Sequence, residues 1–287
     1  MMIEAPTSTT CKTPAPALPV GAWDCHAHVY GPFDRYPLAA DAAYRPAEAT
    51  FSSLRALHAK LGIERGVLVQ AVPYGRDHSV ILDAIAASEG HYRGVALIDD
   101  EISEDELLAL HAGGIRGVRF NLMSHLRAPR DPVRYVDLAS RVAPLGWHVL
   151  VHGQGTQALS LVDNLAKIDV AVVIDHMARP DLTEAIGDAS DAALLAALAS
   201  PNVWIKLSGV DRAMGGKAGP WDRAVEYTLR LLEAAPDRAI WGSDWPHPNV
   251  SGPVPDDAQL LAFALAVCNS TETAQALFVD NPARLYA

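Results

Sequence analysis

The segment Asp24-Cys25-His26-Ala27-His28 decides how the rest of the chain is read. It follows a short apolar approach, Val20 to Trp23, behind a Pro- and Thr-rich leader. Side chains two apart on a strand share a face. His26 and His28 therefore offer two imidazoles to one ion or one small molecule where a strand ends. Working outward, such endings recur. Strand-like runs are predicted at 23–28, 66–71, 94–98, 117–121, 148–152, 172–176, 203–208 and 240–244. Helical patterns fill the gaps at 49–61, 78–88, 104–112, 133–145, 156–168, 189–198 and 221–235, with a last one starting at 273–278. Crossover helices imply parallel strands.

Eight such units within about 250 residues make a (β/α)8 barrel. An open doubly wound sheet would carry a Gly-rich fingerprint after its first strand and gather its polar residues at one switch point. Here polar residues close strand after strand: His26 and His28, Arg119 and Asn121, His152, His176, and Asp244. The sequence thus predicts a single-domain α/β TIM-type barrel over residues 20–287, behind a tail at 1–19. The long connections at 30–49 and 123–132 would lie over the mouth of the barrel, where substrates are held.

Composition narrows the function. A net charge of -11 and a pI near 5.4 argue against nucleic acid as a partner. No apolar run approaches the roughly 18 residues of a membrane span, and the start lacks a basic segment leading into an apolar one, so no signal peptide is expected. Cys11, Cys25 and Cys268 are odd in number and have no metal-type spacing. That fits a reducing compartment, and the expectation is a cytoplasmic enzyme; a homo-oligomer is compatible with the sequence.

If the barrel holds, the polar strand ends converge on one face. Three neutral imidazoles and one carboxylate from this set suit a borderline divalent cation such as zinc, which lowers the pKa of a bound water. Each residue also has a plainer reading. A strand-end histidine can be a hydrogen-bonded rim residue, and Asp244 can be a helix N-cap before Trp245-Pro246. His148 enters its strand at the N-terminal end and reads as structural. His58, His78, His91 and His111 lie on helical patterns or their ends and read as solvated.

The full set resembles the amidohydrolase superfamily: Asp-x-His-x-His on the first strand, His152 and His176 on the fifth and sixth, and Gly242-Ser243-Asp244-Trp245-Pro246 on the eighth. Val29-Tyr30-Gly31-Pro32, Tyr44-Arg45-Pro46, Gly117-Val118-Arg119-Phe120-Asn121, Ile174-Asp175-His176-Met177-Ala178-Arg179-Pro180-Asp181 and Lys206-Leu207-Ser208-Gly209 are similar to a lactonase branch. That branch holds 2-pyrone-4,6-dicarboxylate and 4-sulfomuconolactone hydrolases and galactarolactone-processing enzymes. The resemblance implies a somewhat distorted barrel that hydrolyses a cyclic ester at its mouth. It implies metal ligation by His26, His28, His152 and Asp244, polarisation of the substrate carbonyl by His176, and Asp244 as the base that takes the water's proton. Arg119 and Asn121 stand where two-metal members carry a bridging Lys or Glu, so one divalent ion, zinc, is expected. The pyrone hydrolases, held to work without metal, lack a counterpart of His152.

The expected substrate is a small lactone bearing carboxylate or sulfonate groups, from aromatic or sugar-acid breakdown. Arginine's planar fork suits such groups, and Arg119 and Arg212 are the leading candidates, with Arg127 beside them and Arg130 read as a solvated loop charge. Arg179 stays open between a substrate contact and a loop brace through an acidic neighbour. Tyr44, Tyr74, Asn121 and Gln154 are further candidates for substrate contact, and His247 for shaping the last loop. The rival readings are a lactone isomerase or decarboxylase using the same site, and a barrel that binds an acidic metabolite without turning it over.

Overall fold

The protein's structure is a computed structural model that describes residues 13–123, 126, 133–183, 189–250 and 252–287. Among them, eight parallel strands run side by side in chain order: β1 (Trp23–Ala27), β2 (Arg65–Val69), β3 (Tyr92–Ala96), β4 (Ile115–Asn121), β5 (His148–His152), β6 (Val172–Ile174), β7 (Val203–Leu207) and β8 (Ala239–Trp241). The connections carry α1 (Phe51–Leu61), α2 (Ser79–Ala86), α3 (Glu104–Ala112), α4 (Val133–Val142), α5 (Gly155–Leu165), α6 (Ala189–Leu198), α7 (Val210–Ala213) and α8 (Asp222–Ala234). After β8 come α9 (Asp257–Cys268), α10 (Thr271–Gln275) and α11 (Asn281–Tyr286). This is the predicted (β/α)8 barrel.

Strands covered on both faces read as continuous apolar runs, as in Val172-Val173-Ile174 and Val149-Leu150-Val151, all buried. They feed two cores. Trp23, Cys25, Val67, Val69, Val95, Leu150, Val173, Trp204 and Ile240 fill the barrel with Tyr286, while the outer faces pack on helix residues such as Leu54, Leu57, Ile81 and Leu107. Tyr286 stacks on Trp23 at 5.9 Å and meets His148 edge-on at 5.0 Å. Both partners start their strands, so the C-terminal helix plugs the bottom of the barrel and leaves the chemistry to the top.

The ring closes between β8 and β1. Ala27 bridges Trp245, His28 N–H donates to the Trp245 carbonyl at 2.7 Å, and Asp244 N–H to the His26 carbonyl at 2.8 Å. Gly242 makes this approach achievable, because a Cβ there would sit 2.5 Å from the His26 Cβ.

Four expectations change. β6 and β8 stop at Ile174 and Trp241, so His176 and Asp244 lie on turns beyond their strands. No helix begins at Asp244, whose φ is 65°, which removes the N-cap reading. α9 escaped the sequence analysis because it is apolar on nearly every side and shows no single stripe. His58 and His78 are buried, not solvated: His58 bonds the Tyr92 hydroxyl at 2.7 Å and Asp24 at 3.2 Å, and His78 the Leu97 carbonyl at 3.0 Å. Among the described residues no helix is long and apolar enough to cross a membrane.

Candidate active site

The site starts from an irregularity in β1. Asp24 pairs with Gly66 and Ala27 with Leu68, so one extra residue is accommodated between them, a bulge of the kind that re-aims side chains. Cys25 remains in the barrel core while His26 and His28 both turn to the mouth. Asp24 holds this shape. Its Oδ1 accepts from His26 N–H and Ser243 N–H, both at 2.9 Å, and its Oδ2 accepts from Ser243 Oγ and faces His58. The first residue of the Asp-x-His-x-His motif is thus a staple between β1 and the loop after β8.

Three ligand-type atoms meet at the centre. His26 Nε2 lies 3.3 Å from His28 Nε2, and Asp244 Oδ1 lies 3.4 Å from His28 Nε2 and 3.7 Å from His26 Nε2. His28 Nδ1 donates to the Val69 carbonyl at 2.8 Å, which leaves its Nε2 as a lone pair. The other Asp244 oxygen accepts from Arg212 Nε and Nη2 at 3.2 and 2.9 Å. Burial would raise the Asp244 pKa, but Arg212 and the nearby imidazoles hold it well below the usual carboxylate range, so the carboxylate is ionised at neutral pH.

A second carboxylate, Asp175, stands directly before His176. It is fully buried at the end of β6. Its Oδ2 accepts from Arg119 Nη2 at 3.0 Å and lies 3.5 Å from His176 Nε2. Its Oδ1 lies 3.2 Å from His26 Nδ1 and 3.6 Å from Lys206 Nζ, without a well-aligned hydrogen bond. Burial opposes ionisation, yet these neighbours hold its pKa well below normal. Lys206, 0% exposed, also reaches His26 Nδ1 at 3.1 Å. Burial lowers its pKa while Asp175 works in the opposite direction. Asp175 and Lys206 form the floor under His26.

His176 sits in a turn whose residues 176 to 179 all have positive φ, between 48° and 58°. Its Nδ1 meets Ser208 Oγ at 2.8 Å, and burial lowers its pKa to about 4. Burial likewise lowers His26 and His152, each well below its ordinary value. These three imidazoles, His26, His152 and His176, are therefore neutral at pH 7.

Asn121 spends its amide on architecture. Nδ2 donates to the Leu126 carbonyl at 3.2 Å, and Oδ1 accepts from Met123 N–H at 3.1 Å. The same oxygen lies 3.2 Å from His152 Nδ1, so His152 keeps its proton there and presents Nε2 as a lone pair. That Nε2 is buried without a hydrogen-bond partner. Asn121 thus orients His152 and the loop.

At the rim, the hydroxyls of Tyr44 and Tyr30 meet at 3.0 Å, within electrostatic reach of Arg119, Asp244 and Arg212. Tyr30, quoted only within a motif, is buried with its ring 6.2 Å from His28. Tyr74 stacks behind Tyr30 and accepts from Gly31 N–H at 2.7 Å, which braces the loop at 30–49. Gln154 is exposed before α5. His247 is paired with Asp257 at 2.9 Å and fastens α9 to the last loop. Arg127 and Arg130 lie outside the described residues. A cleft of about 480 Å³ opens beside Arg119 and Asn121, but it is lined on its outer side by Asp99, Asp100 and Glu101 and not by His26, His28, His176 or Asp244.

The donor set fits a divalent ion. Vertices of a tetrahedron around zinc stand about 3.3–3.6 Å apart for bonds of about 2.0–2.2 Å, close to the separations among His26, His28 and Asp244. His176 also places a ligand atom within 4.8 Å of His26 and Asp244. His152, whose Nε2 is buried without a hydrogen-bond partner, stands with its ring 5.6 Å from that of His176 and outside that group of gathered ligand atoms. His26 is the member with competing demands: Asp175 as acceptor at Nδ1 would free Nε2 for a metal, whereas a proton donated by Lys206 to Nδ1 would not.

Comparison with known proteins agrees with this geometry. The chain is 39% identical to 2-pyrone-4,6-dicarboxylate hydrolase of Comamonas testosteroni, over 94% of this chain and 91% of that one. It is 32% identical to 4-sulfomuconolactone hydrolase of Hydrogenophaga intermedia, over 94% and 89%. Among solved structures, a probable 2-pyrone-4,6-dicarboxylic acid hydrolase of Acinetobacter baumannii with citric acid bound superposes with a TM-score of 0.79 at 25% identity, over 93% and 99%. Residues 23–287 match the amidohydrolase family, and the chain belongs to it.

Proposed function

We infer that the protein opens a lactone bearing acidic groups by adding water to its ester carbonyl. The observation that carries this reading is Asp244: an ionised carboxylate with one oxygen held by Arg212 and the other facing two imidazoles. His176, neutral and set beside it, polarises the carbonyl. Asp244 Oδ1 takes the proton of the attacking water, whose oxygen bonds to the carbonyl carbon. The developing oxyanion is held electrostatically. Collapse breaks the acyl C–O bond, and the proton passes to the leaving ring oxygen. An anionic substrate close by raises the proton affinity that Arg212 had lowered, so the base strengthens when the site fills.

The acidic substrate class follows from the guanidinium groups around the mouth in a chain of net charge -11. The names of the two hydrolase relatives and the citric acid in the Acinetobacter structure point to the same chemistry. His26, His28, His152 and Asp244 would hold one divalent ion, with zinc the best match to this donor set. When bound, such an ion supplies a water of lowered pKa and a Lewis-acid contact for the carbonyl.

The test is acid release in weak buffer from 2-pyrone-4,6-dicarboxylate, from muconolactones with carboxylate or sulfonate arms, and from sugar-acid lactones. Opening of one or more of these acidic lactones, with none of an uncharged lactone run as a control, is the expected result. If the acidic lactones give an isomer or carbon dioxide and no ring-opened acid, the hydrolase reading fails.

A further inference from the structure

We propose that Lys206 sets how tightly the site takes a divalent ion, by fixing which nitrogen of His26 carries the proton. This rests on the ion-holding part of the reading above and goes beyond it by naming a positioning residue, not itself a ligand, that decides whether a ligand is ready.

Lys206 interrupts the buried run of β7 and is 0% exposed. A buried ammonium is costly unless its donors are received. Its Nζ lies 3.6 Å from Asp175 Oδ1 and closer, at 3.1 Å, to His26 Nδ1. An ammonium only donates and a carbonyl only accepts, and these two groups stand at the two ends of the histidine pair. Lys206 donates to His26 Nδ1, which makes that nitrogen a lone pair and puts the ring proton on Nε2. At the far end His28 Nδ1 donates to the Val69 carbonyl at 2.8 Å, so a neutral His28 has its lone pair on Nε2. The two Nε2 atoms stand 3.3 Å apart, and a hydrogen bond there needs one proton between them. His26 supplies it. Lys206, His26, His28 and Val69 thus form one relay in which every contact has a donor and an acceptor.

The opposite tautomer has its partner close by. Asp175 Oδ1 lies 3.2 Å from His26 Nδ1, yet this buried oxygen makes no hydrogen bond among the described residues. It could receive an Nδ1 proton only if Lys206 gave that nitrogen up. A ligating imidazole almost always donates its other N–H to a carboxylate, a carbonyl or water. His28 already does so with Val69, and His26 does not. The proton on His26 Nε2 lies among His28 Nε2 and Asp244 Oδ1, 3.3 and 3.7 Å away, where a bond to the ion would form. Binding an ion therefore requires this proton to be moved to Nδ1, against the Lys206 ammonium, and the affinity is lower for it.

The test reads the proton and the ion, so that it does not depend on turnover. In zinc-free wild type carrying heavy-nitrogen-labelled histidine, the ring nitrogen resonances of His26, assigned by their loss in His26→Gln, should show the Nε2–H tautomer. In Lys206→Met, which keeps the chain length without the donor, the proton should move to Nδ1. Zinc titrated against a chromophoric chelator should bind this variant about 10- to 100-fold more tightly than the wild type. A wild-type His26 with its proton on Nδ1 overturns the proposal, and that result needs no Met variant to fold. Equal or weaker zinc binding by the variant also overturns it. So does a gain in affinity with the proton still on Nε2, the pattern that loss of a positive charge alone would give. Lactone opening on the same samples separates this inference from the reading it rests on. If tautomer and affinity shift in a protein that opens no lactone, Lys206 keeps its role and the lactonase reading falls. If lactones are opened but the variant gains no zinc affinity, the lactonase stands and this proposal falls.

Discussion

Replacing Asp175 with Asn should destabilise the protein by several kcal/mol. Asp175 is fully buried, with Arg119 Nη2 at 3.0 Å and Lys206 Nζ at 3.6 Å. At an effective dielectric of about 20, each contact has a gross attraction of about 5 kcal/mol. Desolvation offsets much of that when the pair forms, but removing one partner strands the other, at about 3–5 kcal/mol. Asparagine keeps the volume and can still accept from Arg119, so the lower end, about 3 kcal/mol, is expected. With a urea slope of about 3 kcal/mol/M for a chain of this size, the unfolding midpoint should fall by about 1 M. The pH dependence has a definite sign. The Asp175 carboxyl is held well below its ordinary value, so its contribution is complete above the unfolded pKa of about 3.9 and is lost as pH falls through the folded value. The gap between wild type and variant should stay level from about pH 5 to 8 and narrow below about pH 4. A midpoint within about 0.2 M of wild type, or a gap that widens in acid, would refute the charge-network argument.

Asp244→Asn should lower ring opening by at least about a thousandfold, the scale of losing a catalytic base or an oxyanion donor, while calorimetry finds isophthalate, a flat dicarboxylate with no ester to open, still bound. Burial holds His148 to a pKa of about 3, so the wild type should lose stability progressively as pH falls from about 6.5 toward 3. His148→Phe, which keeps the ring against Tyr286, should flatten that slope in urea titrations at several pH values. Chelator treatment should reduce lactone opening and added zinc restore it, and elemental analysis should show zinc retained by the wild type and lost from a His28→Ala variant.

The barrel was legible because parallel strands buried on both faces leave an unmistakable apolar signature, and because polar residues closing successive strands have one geometric meaning. His26, His28, His176 and Asp244 were found this way and lie together. Asp175 and Lys206 were missed although their signal was present: Lys206 interrupts Val203-Trp204-Ile205-Lys206-Leu207 and Asp175 closes Val172-Val173-Ile174, and a charge in a fully buried strand needs a partner. His58 was not legible in the same sense. Its partner Asp24 is thirty-four residues away, and nothing local distinguishes it from a solvated helix histidine. The bracing partners of Tyr74 and Asn121, Gly31 N–H and the Leu126 carbonyl, were not legible, since they come from backbone geometry that spacing does not encode. The left-handed turn at 176–179 has no glycine to announce it.

The measurement that bears most directly on the account is the fate of solvent oxygen. A lactone opened by the wild type in heavy-oxygen water should carry one labelled oxygen in the newly formed carboxylate and none in the released ring hydroxyl, because the water adds to the acyl carbon and the acyl C–O bond breaks. A rearranged lactone without label, or label in the hydroxyl, would contradict carbonyl attack by a water that Asp244 deprotonates.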